Sequence, residues 1–430
     1  MSELISNIAL PGTRGFWRRH LVWLMALVLL LLIPQVIGSR VAIAVLNQMA
    51  IMVIFTVAYN MLLGQGGMLS FGHAVYFGLG GYFSIHLINA IGENDWAIPI
   101  VLVPLIGGLA GLVFAIIFGS FSTNRAGTVF AMISLGIGEL IAASSLIFVK
   151  FSGGEEGVTG DRTDPPAFLG VDFASEVEVY YLIVAWMMIA VYLMYRFSRT
   201  PIGRIANAVR DNPERAQFIG YSQKRVRFIS FVVSGMFAGI AGALFAINYE
   251  IVTEETVNAI TSGVVLLQAY IGGVGFFAGP IVGAVIYTLL QTLLSNYTEI
   301  WAFYVGIVFV ATVMYAPAGL TGIIMMHQPI WRIGEMRSLI GPYLRVLIPG
   351  AVSAIGFIGL LELLHFVSSR GTGESVKNVF GIDFNADTYW PWLLFGALIV
   401  IGFWLARQAA PRMVQAYQAA LHRAFSGDAA

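Results

Sequence analysis

A chain of 430 residues with 58% hydrophobic and 11% charged residues has too little polar surface to cover a water-soluble fold, whose charged share is about 25%. Lipid must replace water over most of its outside, as the mean hydropathy of +0.83 also says. A formal net charge of zero gives no electrostatic footprint for nucleic acid, and the lack of Cys excludes disulfides, thiolate metal sites and cysteine nucleophiles.

The expected fold class is an all-α polytopic membrane protein, with spans of about 20 mainly apolar residues. Residues 1–20 form a cytoplasmic N-terminal segment with Arg14, Arg18 and Arg19. The apolar run Leu21–Ile37 has no small-residue cleavage site and is read as a retained span. Further spans lie near 41–63, 68–90, 97–119, 127–149, 179–195, 228–249, 279–295 and 301–317, and two more near 346–366 and 391–407. Ile260–Ile271 is apolar but short, either a short span or a broken helix that re-enters. Counting it as a crossing gives about ten core helices and two extra C-terminal ones. With a cytoplasmic N-terminus, all but five of the 23 Lys and Arg then fall on the cytoplasmic side. The outside keeps Arg40, Lys150, Arg162, Arg370 and Lys377, together with most of the acidic clusters. Basic residues are retained inside during insertion, so this partition supports the crossing and places both termini in the cytoplasm. The resulting division is a transmembrane domain over 21–325, a linker over 326–345, a two-helix extension over 346–408 and a tail over 409–430.

Within the first half, the stretch from Gly64 to Gly81 is rich in Gly and carries Ser70 and His73. Small residues let helices approach closely, and these two polar side chains either line a pathway or bond across a packed interface. His73 has no companion ligand at metal spacing, so no metal site is expected. Glu139 lies mid-span, where a charge costs about 2.5–3.5 kcal/mol on insertion scales. It is either a pathway residue or one end of an interhelix hydrogen bond. The outer loop Lys150–Glu178, with Gly153, Gly154, Gly157, Gly160 and Pro165-Pro166, reads as a turn-rich surface loop.

The main cytoplasmic loop spans 196–227 and carries eight basic residues that suit anionic lipid or an acidic partner face. Asp211-Asn212-Pro213 punctuates it, and a short helix over Glu214–Gly220 is expected to close at Gly. In the second half, Gly272-Gly273-Val274-Gly275 and Gly279-Pro280 interrupt the chain after Ile271. Broken helices at membrane depth are tolerated only against protein or a water-filled cavity, and in transporters they often mark the substrate path. Two related halves around a central pathway are therefore expected. Asn248, Gln268, Tyr270, Gly272 and Gly275 are candidates for lining it, with interhelix bonding as the alternative for the polar ones.

Glu214, Ala216 and Gly220 resemble the cytoplasmic coupling motif of ABC importer permeases, with Arg215 in place of the consensus Ala. The blocks Asn60–His73, Gly153–Gly160, Gly203–Ala246 and Gly272–Pro280 are similar, in the same order, to branched-chain amino-acid permeases of the LivM type. The resemblance runs from about Ala42 to Ile324 and fades beyond. It implies a coupling loop that uses Arg210, Asp211, Glu214, Arg215, Ala216 and Gly220. It also implies a second, related permease, two cytoplasmic ATPase subunits and a periplasmic solute-binding protein, in a bacterial inner membrane. The cargo it implies is a branched-chain or other hydrophobic amino acid, with urea and short amides as rivals. The sequence adds one point of its own: no Gly-x-x-x-x-Gly-Lys-Ser/Thr phosphate loop occurs. No cofactor is expected in this chain, and ATP and Mg belong to the ATPase subunits. An ion-coupled secondary transporter with Glu139 as its site is the weaker alternative.

Overall fold

The computed structural model describes residues 13–370 and 375–426. Residues 1–12 of the N-terminal segment and 427–430 of the tail lie outside that description. The chain divides into two compact units, 1–323 and 324–430.

The first unit holds α1 (Thr13–Val36), α2 (Arg40–Asn60), α3 (Ala74–Asn94), α4 (Val103–Ser122), α5 (Thr128–Ile147) and the single turn α6 (Val149–Ser152). It continues with α7 (Glu176–Arg199), α8 (Pro201–Asp211), α9 (Pro213–Phe218), α10 (Gln223–Tyr249), α11 (Ala259–Gly272), α12 (Gly279–Ser295) and α13 (Trp301–Tyr315). Over the described residues, eight helices are long and apolar enough to cross a membrane, or nine if α13 and the following α14 (Gly319–Arg332) count as one bent span. The protein is thus a multi-pass, all-α membrane protein. The segments expected at 260–271 and 279–295 are α11 and α12, of 14 and 17 residues. At about 1.5 Å per residue both fall short of the roughly 30 Å of a hydrocarbon core, because the glycine break between them ends each one early.

Helix ends follow local chemistry. Ser175 Oγ accepts from the Val177 N–H to start α7, whose first turn carries Glu176 and Glu178 and whose last carries Arg196 and Arg199. That charge order matches the helix dipole.

Apolar side chains of α2 and the turn that follows it form the centre of the unit, with Ile54, Phe55, Ala58, Tyr59 and Leu62 at 0% exposure. Around it α3, α4 and α10 pack almost backbone to backbone. A Cβ at Gly242 on α10 would overlap the Phe77 carbonyl of α3, and one at Gly107 on α4 would lie 2.6 Å from the Gly239 carbonyl of α10. Without a hydrophobic driving force between helices in lipid, such close approach supplies the attraction. Gly242→Val is expected to destabilise the unit by about 1–3 kcal/mol through overpacking against immovable backbone. An unchanged thermal midpoint of the detergent-solubilised protein would contradict that packing.

On the side away from α8 and α9, strand β1 (Val158–Thr159) pairs antiparallel with β2 (Ile251–Val252), lacing the outer loop to the α10–α11 connection. Thr163, through its hydroxyl and its N–H, holds the nearby Asp161 carboxyl below the usual carboxylate range. That turn's contribution to stability is therefore present at neutral pH and lost as pH falls.

In the second unit, α15 (Met336–Ser369) and α16 (Tyr389–Ser426) lie side by side and are joined through a hairpin of β3 (Val376–Val379) and β4 (Ile382–Asn385). Leu363, Val379, Phe384 and Phe395 form its core at the hairpin end. Glu362 of α15 lies 3.6 Å from Lys377 of β3. Most of the linker expected at 326–345 is helical, because α15 begins ten residues before the apolar run that marked its span.

Candidate functional site

Two interruptions of helix inside the bundle define the site. In the first, α2 runs into a π-helical turn, Met61–Gln65, and the chain continues irregularly until α3 begins at Ala74. Side chains of neighbouring helices satisfy backbone groups freed from regular helix here, as irregular backbone within a membrane bundle needs. Ser134 Oγ of α5 accepts from the Phe71 N–H at 3.0 Å, and Ser262 Oγ of α11 accepts from the Ala74 N–H at 2.9 Å. Tyr59 donates its hydroxyl to the Ser70 carbonyl at 3.0 Å.

His73 is wholly buried, with its ring among Phe55, Tyr59 and Tyr76 and its Nε2 3.1 Å from Ser234 Oγ. Ser234 donates its one hydroxyl proton to the Ala58 carbonyl at 2.6 Å. His73 Nε2 must then be the donor to Ser234, and Nδ1 is buried without a hydrogen-bond partner among the described residues. Gln268 accepts from Thr56 Oγ1 at 2.5 Å. Of the candidates read from the sequence, His73 and Gln268 thus bond between helices in the packed crossover, while Ser70 contributes its carbonyl and its buried Oγ has no hydrogen-bond partner among the described residues. Tyr270 stands edge-on to Phe309, and Gly272 lets α11 approach Gly279 of α12. Asn248 lies at the opposite end of α10, where its carbonyl accepts from Arg162 at 3.4 Å.

The second interruption follows α11. Gly273 turns the chain at a φ of +114°, and α12 resumes at Gly279. The two interruptions meet: the Gly64 backbone lies against the Val274 carbonyl. Between them opens a cleft of about 410 Å³, lined by Asn60, Gln65, Arg199, Arg204, Arg210 and Gly275 together with Phe276 and Phe277. Asn60 Oδ1 and Gln65 Oε1 are buried there without a hydrogen-bond partner among the described residues. Arg210 and Gly275, picked from separate parts of the sequence, share this cleft.

Arg210 reaches the cleft from α8. Its Nη1 donates to the Gly64 carbonyl, and its Cγ would lie 2.7 Å from a Cβ at Gly67. Its Nε and Nη2 hold Asp211 at 2.9 and 2.8 Å. Thr200 caps α8 by accepting from the Gly203 N–H, and Asn212 caps α9 by accepting from the Arg215 N–H at 2.9 Å. Pro201 and Pro213 occupy the first helical positions, where a missing N–H costs nothing. Ala216 is buried with Ala206, Val209 and Val226, fastening α9 to α8 and α10. Gly220, at a φ of +91°, closes α9: its N–H bonds the Gln217 carbonyl, and the next N–H, of Tyr221, bonds Ala216. This double bond pattern needs a left-handed residue, which favours Gly.

Glu214 and Arg215 are exposed on α9. So are two residues that sequence reasoning passed over, Phe218 at 89% and Ile219 at 61% exposure. Their signal was a pair of apolar side chains at the tip of an otherwise polar loop. Glu139 stands apart from all of these, exposed on the outer face of α5.

Residues 41–317 match the family described as branched-chain amino acid transport system / permease component. The chain is similar to the high-affinity branched-chain amino acid transport system permease protein LivM of Salmonella typhimurium, at 24% identity over 72% of this chain and 77% of that protein. It is equally similar, at 24% identity and with the same coverage, to the Escherichia coli protein of that name. A shorter match, 32% identical over 30% of this chain and 37% of the relative, is to the autoinducer 2 import system permease protein LsrC of Klebsiella pneumoniae. No solved structure matches the chain. The family match contains both interruptions, α8 and α9, and ends before the second unit.

Proposed function

Because this chain belongs to the branched-chain amino acid transport system permease component family, we propose that it is one membrane subunit of an ATP-driven ABC importer. It passes branched-chain or related hydrophobic amino acids, delivered by a periplasmic binding protein, across a bacterial inner membrane. A second permease completes the pathway, and two ATPase subunits bind ATP and Mg on the cytoplasmic side. On this reading the end bearing α8 and α9 faces those ATPases and both termini lie on the cytoplasmic side, an orientation that the distribution of Arg and Lys supports.

The observation that carries this reading is the grip of α8 on the first interruption. Phe218 and Ile219 offer an apolar anchor to an ATPase groove. Ala216 fixes the anchor to α8, and Arg210 bonds α8 to the Gly64 backbone. When the ATPases close on ATP and drag α9, the pull reaches the meeting point of the two interruptions, where side chains rather than regular helix hold the backbone. A segment held that way has fewer bonds to break in moving between two arrangements, which is what an outward-to-inward switch needs.

Arg210→Met is expected to leave assembly and ATP hydrolysis intact and to lower uptake by about tenfold, within the usual range of coupling energies. Uptake equal to wild type would remove Arg210 from the transmission path. The reading as a whole is tested by purification from the native membrane in mild detergent. Two ATPases and a second permease should remain bound, and reconstituted vesicles should take up isoleucine only with ATP. A chain that purifies alone and transports under an ion gradient overturns it. Excess leucine should block isoleucine uptake, whereas urea and acetamide should not. The reverse pattern would make the cargo a short amide.

A further inference from the structure

Glu139 lies eleven residues after Thr128 and eight before Ile147 in α5, about 16 and 12 Å from its ends. That is mid-bilayer for any modest tilt. Its side chain is exposed, and among the described residues it makes no hydrogen bond or ion pair. Met132, Leu135, Gly136, Leu140 and Ile147 share its stripe, and a Cβ added at Gly136 would meet nothing within 4 Å. The opposite face of the same helix is committed inward: Ser134 bonds the crossover backbone, and Gly138 lies against Gly72. The outer face of α4 shows by contrast what lipid contact looks like here, with Leu105, Leu109, Ile116 and Phe121 exposed and no charge among them.

Hydrocarbon does not solvate a carboxylate, and ionisable side chains within spans face protein or water. Lipid is therefore the wrong cover for the α5 stripe. We propose that this stripe is the surface against which the second permease of the importer packs, with Glu139 lining the water-filled passage between the two subunits. There its carboxylate is the counter-charge for the ammonium group of a zwitterionic amino acid. The proposal rests on the importer reading and adds to it which helix meets the partner and which group meets the cargo. A primary ammonium entering the membrane needs an anion at that depth. Of the carboxylates in the described spans of the first unit, Glu139 alone lies mid-helix: Glu93, Glu176 and Glu178 sit at helix ends.

The chain contains no Cys, so single-Cys variants carry no background. Gly136→Cys and Glu139→Cys on α5, with Leu109→Cys on α4 as control, are treated in membranes holding the whole transporter. The probes are a membrane-impermeant maleimide and a short bifunctional thiol cross-linker. The proposal expects maleimide labelling at 136 and 139, a cross-link from α5 to a permease-type chain, and neither at 109. If the complex co-purifies intact but the α5 positions stay unlabelled and uncrosslinked, the proposed surface is wrong and the importer reading stands. If no second permease co-purifies, both fall. Glu139→Gln should preserve the cross-link from Gly136→Cys and lose most amino-acid uptake, while Glu139→Asp retains it. Wild-type uptake in Glu139→Gln would remove the counter-charge role.

Discussion

Phe218→Asp and Glu214→Lys are each expected to cut ATP-driven uptake by about tenfold or more while the protein inserts and folds normally. Both side chains are exposed, Phe218 at 89%, so neither substitution disturbs a packed interior of this chain. A large exposed aromatic beside an exposed carboxylate on a short helix has the composition of an interface anchor. Truncating such an anchor typically costs at least about 2 kcal/mol of binding, roughly thirtyfold in affinity. The loss should appear as ATPase subunits that dissociate during purification. Gly220→Arg acts differently. It forces a non-Gly residue to a φ of +91°, costing about 1–2 kcal/mol locally, and shifts the end of α9 that carries Phe218. It should lose uptake while keeping more of the ATPase than Phe218→Asp does. Wild-type uptake in both Phe218→Asp and Glu214→Lys would sink the coupling role of α9.

How far the sequence could be read depended on whether a feature was local. The apolar runs marked α2, α4, α5, α7 and α10 within a few residues, because each helix is its own hydropathy signal. The span expected at 68–90 is displaced to α3 at 74–94. The difference is the irregular stretch around Ser70, held by Ser134 and Ser262. Those partners are 63 and 188 residues away, which no window of hydropathy can register. The glycines announced that both interruptions exist, but only the fold shows Gly64 lying on Val274 and Arg210 reaching them. Hydropathy likewise cut α15 and α16 short, since a helix continues past the membrane wherever Arg, Gln and Ala sustain it. Glu139 was legible as a cost but not as a surface, because its exposure depends on which face of α5 the bundle uses.

Arg162 shows the same limit most sharply, and its removal is expected to be among the most damaging single changes to stability. In the sequence it is one stray cation in an outer loop. In the fold it is buried, with Nη2 2.9 Å from Glu176 and 3.2 Å from the Ala174 carbonyl, Nη1 3.4 Å from the Asn248 carbonyl, and Nε 4.0 Å from Glu250. Its own N–H donates to Glu250 at 3.0 Å, and Asn47 of α2 reaches Glu176 from the other side at 3.4 Å. One guanidinium therefore joins α7, the end of α10 and the outer loop. Arg162→Leu leaves two carboxylates facing each other with no cation between them. Breaking a buried pair costs about 3–5 kcal/mol, and since Glu176 and Glu250 are each about a third exposed, the lower end applies. The thermal midpoint in detergent should drop, and protease should cut first between Lys150 and Glu178. If the harm comes from carboxylate repulsion, adding Glu250→Gln to Arg162→Leu should recover part of the loss, although Glu250→Gln alone is destabilising. Such a sign change in a double-mutant cycle is direct evidence of coupling between the two residues. Additive losses would mean that Arg162 acts only through its carbonyl contacts at Ala174 and Asn248, and the ion pairs would then be incidental to the fold.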